Sequence, residues 1–170
     1  AILAVSMPAP PPYGLLLIGG SHTHQENYAR AFAADERCRL IGLADEPDVP
    51  ERRRGLNSQL AAELGIPLLD DLDAALSRPD VHLVSVCAEP ERRGRLAAHS
   101  ARAGKHVYVD KPLAASVADA RMVVDAVRDA NVCSQMFSLV RGPVARRAAA
   151  TIEAGRVGRL VGLHCELMCA

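Results

Sequence analysis

The sequence has no tryptophan, and only 3% of its 170 residues are aromatic. Proteins that grip nucleic acid need a basic footprint, and usually rings on which bases stack. Here 20 Lys and Arg balance 20 Asp and Glu, for a formal net charge of zero. No nucleic-acid partner is expected. No apolar run approaches the roughly 20 residues that a helix needs to cross a bilayer, so no membrane partner is expected either. The five cysteines, Cys38, Cys87, Cys133, Cys165 and Cys169, form no CxxC pair and show no metal-ligand spacing. They read as small buried hydrophobes in a reducing compartment, here the cytoplasm, and no metal is expected.

What is present is a chain that is 49% hydrophobic and 24% charged, the composition of a soluble core. Its length suits one domain and the start of another. Residues 1–12 end in a proline run and read as a disordered leader. Beyond them, apolar strand-like runs alternate with helical patterns: strands at 15–18, 40–44, 66–69, 81–87, 107–109 and 132–137. The helices between them fall at 25–34, 51–64, 72–76, 91–103 and 116–131. Gly65 is the expected C-cap of the second helix, and Asp70 and Asp71 are cap candidates for the third. Ser116 with Asp119 forms a capping-box start to the fifth, with Val117, Met122, Val123 and Val127 on its inner side. Such alternation predicts an α/β fold, a doubly wound and mostly parallel sheet with helices on both faces. The assigned domain spans 13–140, with 141–170 as crossover and start of a second, α+β domain.

Three stretches carry chemistry. Gly19-Gly20-Ser21-His22-Thr23-His24 follows the first strand, where a dinucleotide fold places a glycine-rich turn against the pyrophosphate. Read as G-x-G-x-x-G, its second and third glycines have become Ser21 and His24, so the match is weak by itself. Asp45 ends the second strand some twenty-odd residues later, where a carboxylate holds the adenosine ribose hydroxyls. Glu46 and Asp48 add charge that repels a 2′-phosphate, which favours NAD without excluding NADP. Arg52-Arg53-Arg54 is read as the solvated start of the next helix. Finally, Gly104-Lys105-His106-Val107-Tyr108-Val109-Asp110-Lys111-Pro112-Leu113-Ala114 puts Asp110 and Lys111 at the carboxyl end of a strand that Pro112 terminates.

Gly-Lys-His-Val, three residues, then Lys-Pro-Leu-Ala resembles the signature of the Gfo/Idh/MocA oxidoreductases, with Asp110 in place of the usual Glu. The resemblance implies a Rossmann domain whose Lys111 reaches both nicotinamide and substrate and acts as the catalytic residue, with Asp110 and Pro112 in the cofactor site. Ala88-Glu89-Pro90-Glu91-Arg92-Arg93 falls at the family's Thr-Pro-Asn segment, its proline displaced by one and Arg93 at the position of a His. Glu89 and Pro90 are carried over as cofactor-binding on that ground, and Glu89 with Arg93 is read either as working near the nicotinamide ribose or as a surface pair.

The resemblance further implies hydride transfer to or from a hydroxyl-bearing carbon of a sugar, inositol or similar polyol. It also implies a homo-oligomer for the full-length protein. Residues 138–143 resemble the family's crossover and 155–160 the turn opening its second domain, of which 161–168 would be the first strand. The chain on its own is therefore expected to bind cofactor better than it turns over substrate. Two other readings stand beside this one: a non-catalytic NAD-binding sensor or scaffold, and a metal-dependent hydrolase using His22 and His24, for which ligands at later strand ends are wanting.

Overall fold

A computed structural model of the chain describes residues 12–20, 24–138 and 142–164. Strand β1 (Tyr13–Ile18) lies inside the sheet, and the side chains from Leu15 to Ile18 are all 0% exposed. A continuous apolar run is what a parallel strand covered on both faces requires. Side chains alternate between the faces: Leu16 and Ile18 join one core cluster, Leu15 and Leu17 the other.

Around β1 are β2 (Cys38–Ala44), β3 (Leu68–Leu69), β4 (Leu83–Val86), β5 (His106–Val109) and β6 (Ser134–Met136). The sheet order is β3-β2-β1-β4-β5-β6, with every pairing parallel. The order in which strands are added reverses between β1 and β4. In open α/β sheets the crevice beyond the carboxyl ends at such a reversal is where ligands bind.

The helices are α1 (Gln25–Ala33), α2 (Glu51–Leu64), α3 (Leu72–Ser77), α4 (Pro90–Arg102) and α5 (Val117–Asp129). Ala29 of α1 with Leu60 and Ala61 of α2 covers one face. Leu72, Ala75 and Leu76 of α3, Leu96 and Ala97 of α4, and Val123 and Ala126 of α5 cover the other. Local signals chose the boundaries. Gly65 ends α2 in the left-handed conformation, Asp71 rather than Asp70 caps α3 by accepting from the Ala74 N–H at 2.9 Å, and Ser116 accepts from the Asp119 N–H at 3.0 Å.

Some expectations need correcting. Val117 is 71% exposed, and of the four residues expected on the inner side only Met122, Val123 and Val127 pack against the core. The third strand shrinks to two residues, since Pro67 has no N–H for the ladder and serves through its carbonyl, which accepts from Leu43 at 2.9 Å. At the other edge β6 is exposed along its length, and Cys133 just before it is exposed rather than buried.

The chain divides into two units between Phe137 and Ser138. In the second, Gly142 and Pro143 open α6 (Pro143–Glu153), a helix absent from the sequence reading although Pro at the first helical position signals it. The strand expected from 161 is not formed at residues 161–164. Residues 165–170, which include Cys165 and Cys169, lie outside the described residues, as do most of the leader and Ser21, His22 and Thr23.

Candidate functional site

The turn after β1 is built on close backbone approach. Gly19 has φ +75°, and a Cβ there would stand 2.8 Å from the Ala88 nitrogen at the end of β4. A Cβ on Gly20 would stand 2.2 Å from Oδ1 of Asn57, on α2. His24, at the third glycine of the motif reading, has φ 79°, so this position keeps glycine's backbone conformation although it carries a side chain. Helix α1 begins at the next residue with no side-chain cap. Uncapped first-turn N–H groups with the helix dipole behind them suit an anion such as a pyrophosphate.

Gln25 holds this turn in place, a residue that the sequence reading did not single out. It is fully buried, and Nε2 donates to the carbonyls of Ile18, Gly19 and Ser85 at 3.2, 3.0 and 2.9 Å. The Ser85 hydroxyl donates back to Oε1 at 2.7 Å. The signal available was Ser85, a buried hydroxyl in an apolar strand, which has to find a partner.

At the end of β5 the Asp110 carboxylate is 2% exposed and collects three donors. Tyr28 donates at 2.8 Å, His24 Nδ1 lies 3.3 Å away, and Arg93 Nη2 donates at 3.3 Å. Burial, with the Asp110 hydrogen bond and charge added, pushes the Tyr28 hydroxyl well above the usual phenol range. Tyr108 packs its ring against those of Tyr28 and Phe32, at centroid distances of 5.1 and 5.4 Å. Arg93 is itself 2% exposed. Besides Asp110 it donates from Nε to the Ala88 carbonyl at 3.0 Å and from Nη1 to the Pro112 carbonyl at 2.7 Å.

One guanidinium therefore joins the neighbour of the glycine turn to the Lys111-Pro112 loop, whose peptide bond is cis. Lys111 follows as an exposed residue, with no hydrogen bond or ion pair to Asp110 among the described residues. Of the two readings of Glu89 and Arg93, the surface pair is not what forms: Arg93 donates to Ala88, Pro112 and Asp110, while Glu89 meets Arg92 and Arg53.

Asp45, Glu46 and Glu89 face a second cluster. Arg92 donates to Asp45 and Glu46 at 2.8 Å each, and to Glu89 at 2.8 Å. Arg53 pairs with Glu89, and Arg95 with Glu46. Of the three arginines read as solvated, Arg53 is thus drawn in, its side chain 13% exposed, and Arg54 donates to the Val49 carbonyl at 2.7 Å. Glu89 and Pro90 occupy the N-cap and first position of α4. Burial raises the Glu89 pKa, but its own N–H and the Arg92 and Arg53 hydrogen bonds more than offset that and hold it down to about 2.

The sheet order, the reversal between β1 and β4, and the glycine turn running into α1 together define a dinucleotide-binding Rossmann domain. Residues 14–138 match the family model described as "Oxidoreductase family, NAD-binding Rossmann fold", that of Gfo/Idh/MocA. The chain belongs to this family and carries its NAD-binding domain. It is 30% identical over 126 residues to a levoglucosan dehydrogenase from Pseudarthrobacter phenanthrenivorans, covering 69% of this chain and 32% of that protein. It is 28% identical over 108 residues to a scyllo-inositol 2-dehydrogenase (NAD(+)) from Bacillus subtilis, covering 62% and 32%. The structure of GenD2 from gentamicin A biosynthesis, in complex with NAD, superposes with a TM-score of 0.74 at 26% identity, covering 86% of this chain and 40% of that one. The chain spans about a third of the length of these curated relatives. None of its described helices is long and apolar enough to cross a membrane.

Of the pair on which the metal reading rests, His22 lies outside the described residues. The described residues contain no group of three or more potential ligands, and His24 is turned to Asp110.

Proposed function

We propose that the protein is the cofactor-binding part of an NAD(P)-dependent dehydrogenase or reductase, acting on a hydroxyl-bearing carbon of a sugar, inositol or related polyol. The observation that carries this reading is the buried Arg93, which ties the Lys111-Pro112 loop to the strand end beside the glycine turn. The named activities of the two curated relatives, on an anhydrosugar and an inositol, support the substrate class.

Gly19 and Gly20 would let the pyrophosphate approach the backbone, and Ser21, His22, Thr23 and His24 would contribute to its binding. Asp45, Glu89 and Pro90 would line the adenosine and ribose side, and Asp110 and Pro112 the nicotinamide side. The bound nicotinamide supplies hydride chemistry. Lys111 would donate a hydrogen bond to the reacting substrate oxygen and stabilise negative charge developing on it. Asp110, itself held by Arg93, Tyr28 and His24, would fix the backbone from which Lys111 projects. A substrate domain that begins within 141–170, homo-oligomeric assembly and a cytoplasmic setting complete the proposal, the last in keeping with the free thiols of Cys38 and Cys133.

The test is a titration with NADH followed by its fluorescence. Saturable binding at one site per chain is expected, and none would overturn the reading. In a protein that also carries the substrate domain, Lys111→Met should lower kcat at least a hundredfold, the scale on which a lost transition-state donor acts, with the Kd for NADH within about threefold of wild type. An unchanged kcat would favour a sensor or scaffold.

A further inference from the structure

The Asp45 cluster bears on which dinucleotide the domain takes. A carboxylate at the end of the second strand selects NAD by accepting the ribose hydroxyls, whereas an arginine nearby accommodates the 2′-phosphate of NADP. A carboxylate has about four lone-pair sites, and in Asp45 all four are in use. Oδ1 accepts the Glu46 N–H at 2.9 Å and Arg92 Nη1 at 2.8 Å. Oδ2 accepts Asn57 Nδ2 at 2.9 Å and Arg92 Nη2 at 3.4 Å. Asp45 is only 8% exposed. It has no free oxygen to offer a ribose.

Charge balance points the same way. Asp45, Glu46 and Glu89 meet Arg53, Arg92 and Arg95 in direct pairs. Each of these carboxylates thus has a guanidinium in contact with it, which offsets that carboxylate's own repulsion of a phosphate at contact range. Geometry then distinguishes the two nucleotides. For a ribose diol to reach Asp45, Arg92 has to be drawn off a buried carboxylate. A 2′-phosphate instead takes the Arg92 guanidinium in exchange for Glu46, a like-for-like replacement of one anion by another, and Glu46 keeps its Arg95 partner.

Resting on the dinucleotide reading above, we infer that Arg92, not Asp45, is the specificity-determining residue at the adenosine end, and that the domain accepts NADP(H) at least as readily as a tenfold weaker NAD(H). Its two carboxylate neighbours tune that preference. Glu46 competes with the phosphate for Arg92, and Asp45 anchors the guanidinium where the phosphate meets it.

The experiment compares the Kd of NADPH and of NADH by fluorescence titration, for wild type, Arg92→Ala and Glu46→Gln. Expected are a wild-type Kd for NADPH no more than tenfold above that for NADH, a shift of at least tenfold toward NADH in Arg92→Ala, which frees Asp45 and removes the guanidinium, and a shift toward NADPH in Glu46→Gln. Glu46→Gln changes one partly exposed side chain, so it remains informative if Arg92→Ala does not fold. Exclusion of NADPH by more than tenfold in wild type, or a ratio that Arg92→Ala or Glu46→Gln leaves unmoved, would overturn the inference. Binding of neither nucleotide would instead overturn the dinucleotide reading, and this inference with it.

Discussion

Arg93 Nη1 donates to the carbonyl oxygen of Pro112 at 2.7 Å, across nineteen positions of sequence. The bond is one of three from a guanidinium that is nearly all inside the protein, the others reaching Ala88 and Asp110. A buried charge is tolerated only when it is paired and its donors are satisfied. Arg93→Ala would leave the Asp110 carboxylate facing a void where its countercharge stood. The expected loss of stability is about 3–5 kcal/mol, the range for breaking one side of a buried pair. Arg93→Lys, which keeps charge but lacks the planar fork, should lose less. Urea unfolding checks both, and a loss below about 1 kcal/mol for the alanine variant would mean that the pair behaves as a surface one.

Gln25→Ala should be costly for a different reason. It removes the Nε2 group that three carbonyls share and leaves the buried Ser85 hydroxyl without its acceptor. Each buried polar group left unpaired costs about 1–3 kcal/mol. Gln25→Glu replaces the donating amide by a carboxylate facing three carbonyl oxygens, and is expected to be worse than alanine. Denaturation midpoints of the two variants test that order.

These two residues also mark where the sequence stopped being informative. The parallel α/β architecture was legible because Leu15–Ile18 and its counterparts are apolar without alternation, and because Ser116 and Asp71 start their helices and Gly65 ends its own by local rules. Lys111-Pro112 was legible as a motif. The partners of Asp110 were not. Arg93 reaches it from α4, and Tyr28 and His24 from α1 and its N-cap, and a helix written as Glu-Arg-Arg gives no sign of which arginine turns inward. Arg92 and Arg93 are adjacent, yet one faces Asp45 and the other Asp110, since successive helical positions differ by about 100°. The same limit explains Arg53, whose approach to Glu89 depends on a contact across 36 positions.

Acid should loosen the Arg92 cluster over a defined range. Glu89 titrates near 4.5 when unstructured and is held down to about 2 in the fold. A carboxyl lowered in this way contributes stability that is fully present above pH 4.5 and is lost as pH falls toward 2. Glu89 is also partly exposed, so solvent screening reduces its share. Glu89→Gln is expected to flatten the acid limb of a stability-against-pH curve between those values while leaving its shape above pH 5 unchanged. An identical acid limb in the variant would show that other carboxyls set it.

Thiol reactivity should separate two of the cysteines. Cys87 is fully buried, and burial, with the Asp110 charge added, pushes its thiol up to about 12. Only the thiolate reacts. Cys133 is exposed. Brief treatment with iodoacetamide at neutral pH, read by peptide mass mapping, is expected to modify Cys133 and spare Cys87 until denaturant is added. Early labelling of Cys87 would mean that the end of β4 opens far more readily than its packing indicates.

Gly19 offers the sharpest test of the turn itself. Its φ of +75° is strained for any residue with a Cβ, and the added atom would stand 2.8 Å from a backbone nitrogen and 3.0 Å from the Ala88 Cα. Backbone cannot swing aside as a flexible side chain can. Gly19→Ala therefore combines a left-handed penalty of about 1–2 kcal/mol with separation of β1 from β4 at the mouth of the crevice. Gly104 makes the control. It also has positive φ, at 76°, but nothing lies within 4 Å of a Cβ there. Gly104→Ala should lose only the conformational part and keep NADH binding, whereas Gly19→Ala should lose more stability and bind NADH at least tenfold more weakly. Equal losses in the two variants, with NADH binding intact in both, would show that contact between the turn and Ala88 does not shape the site.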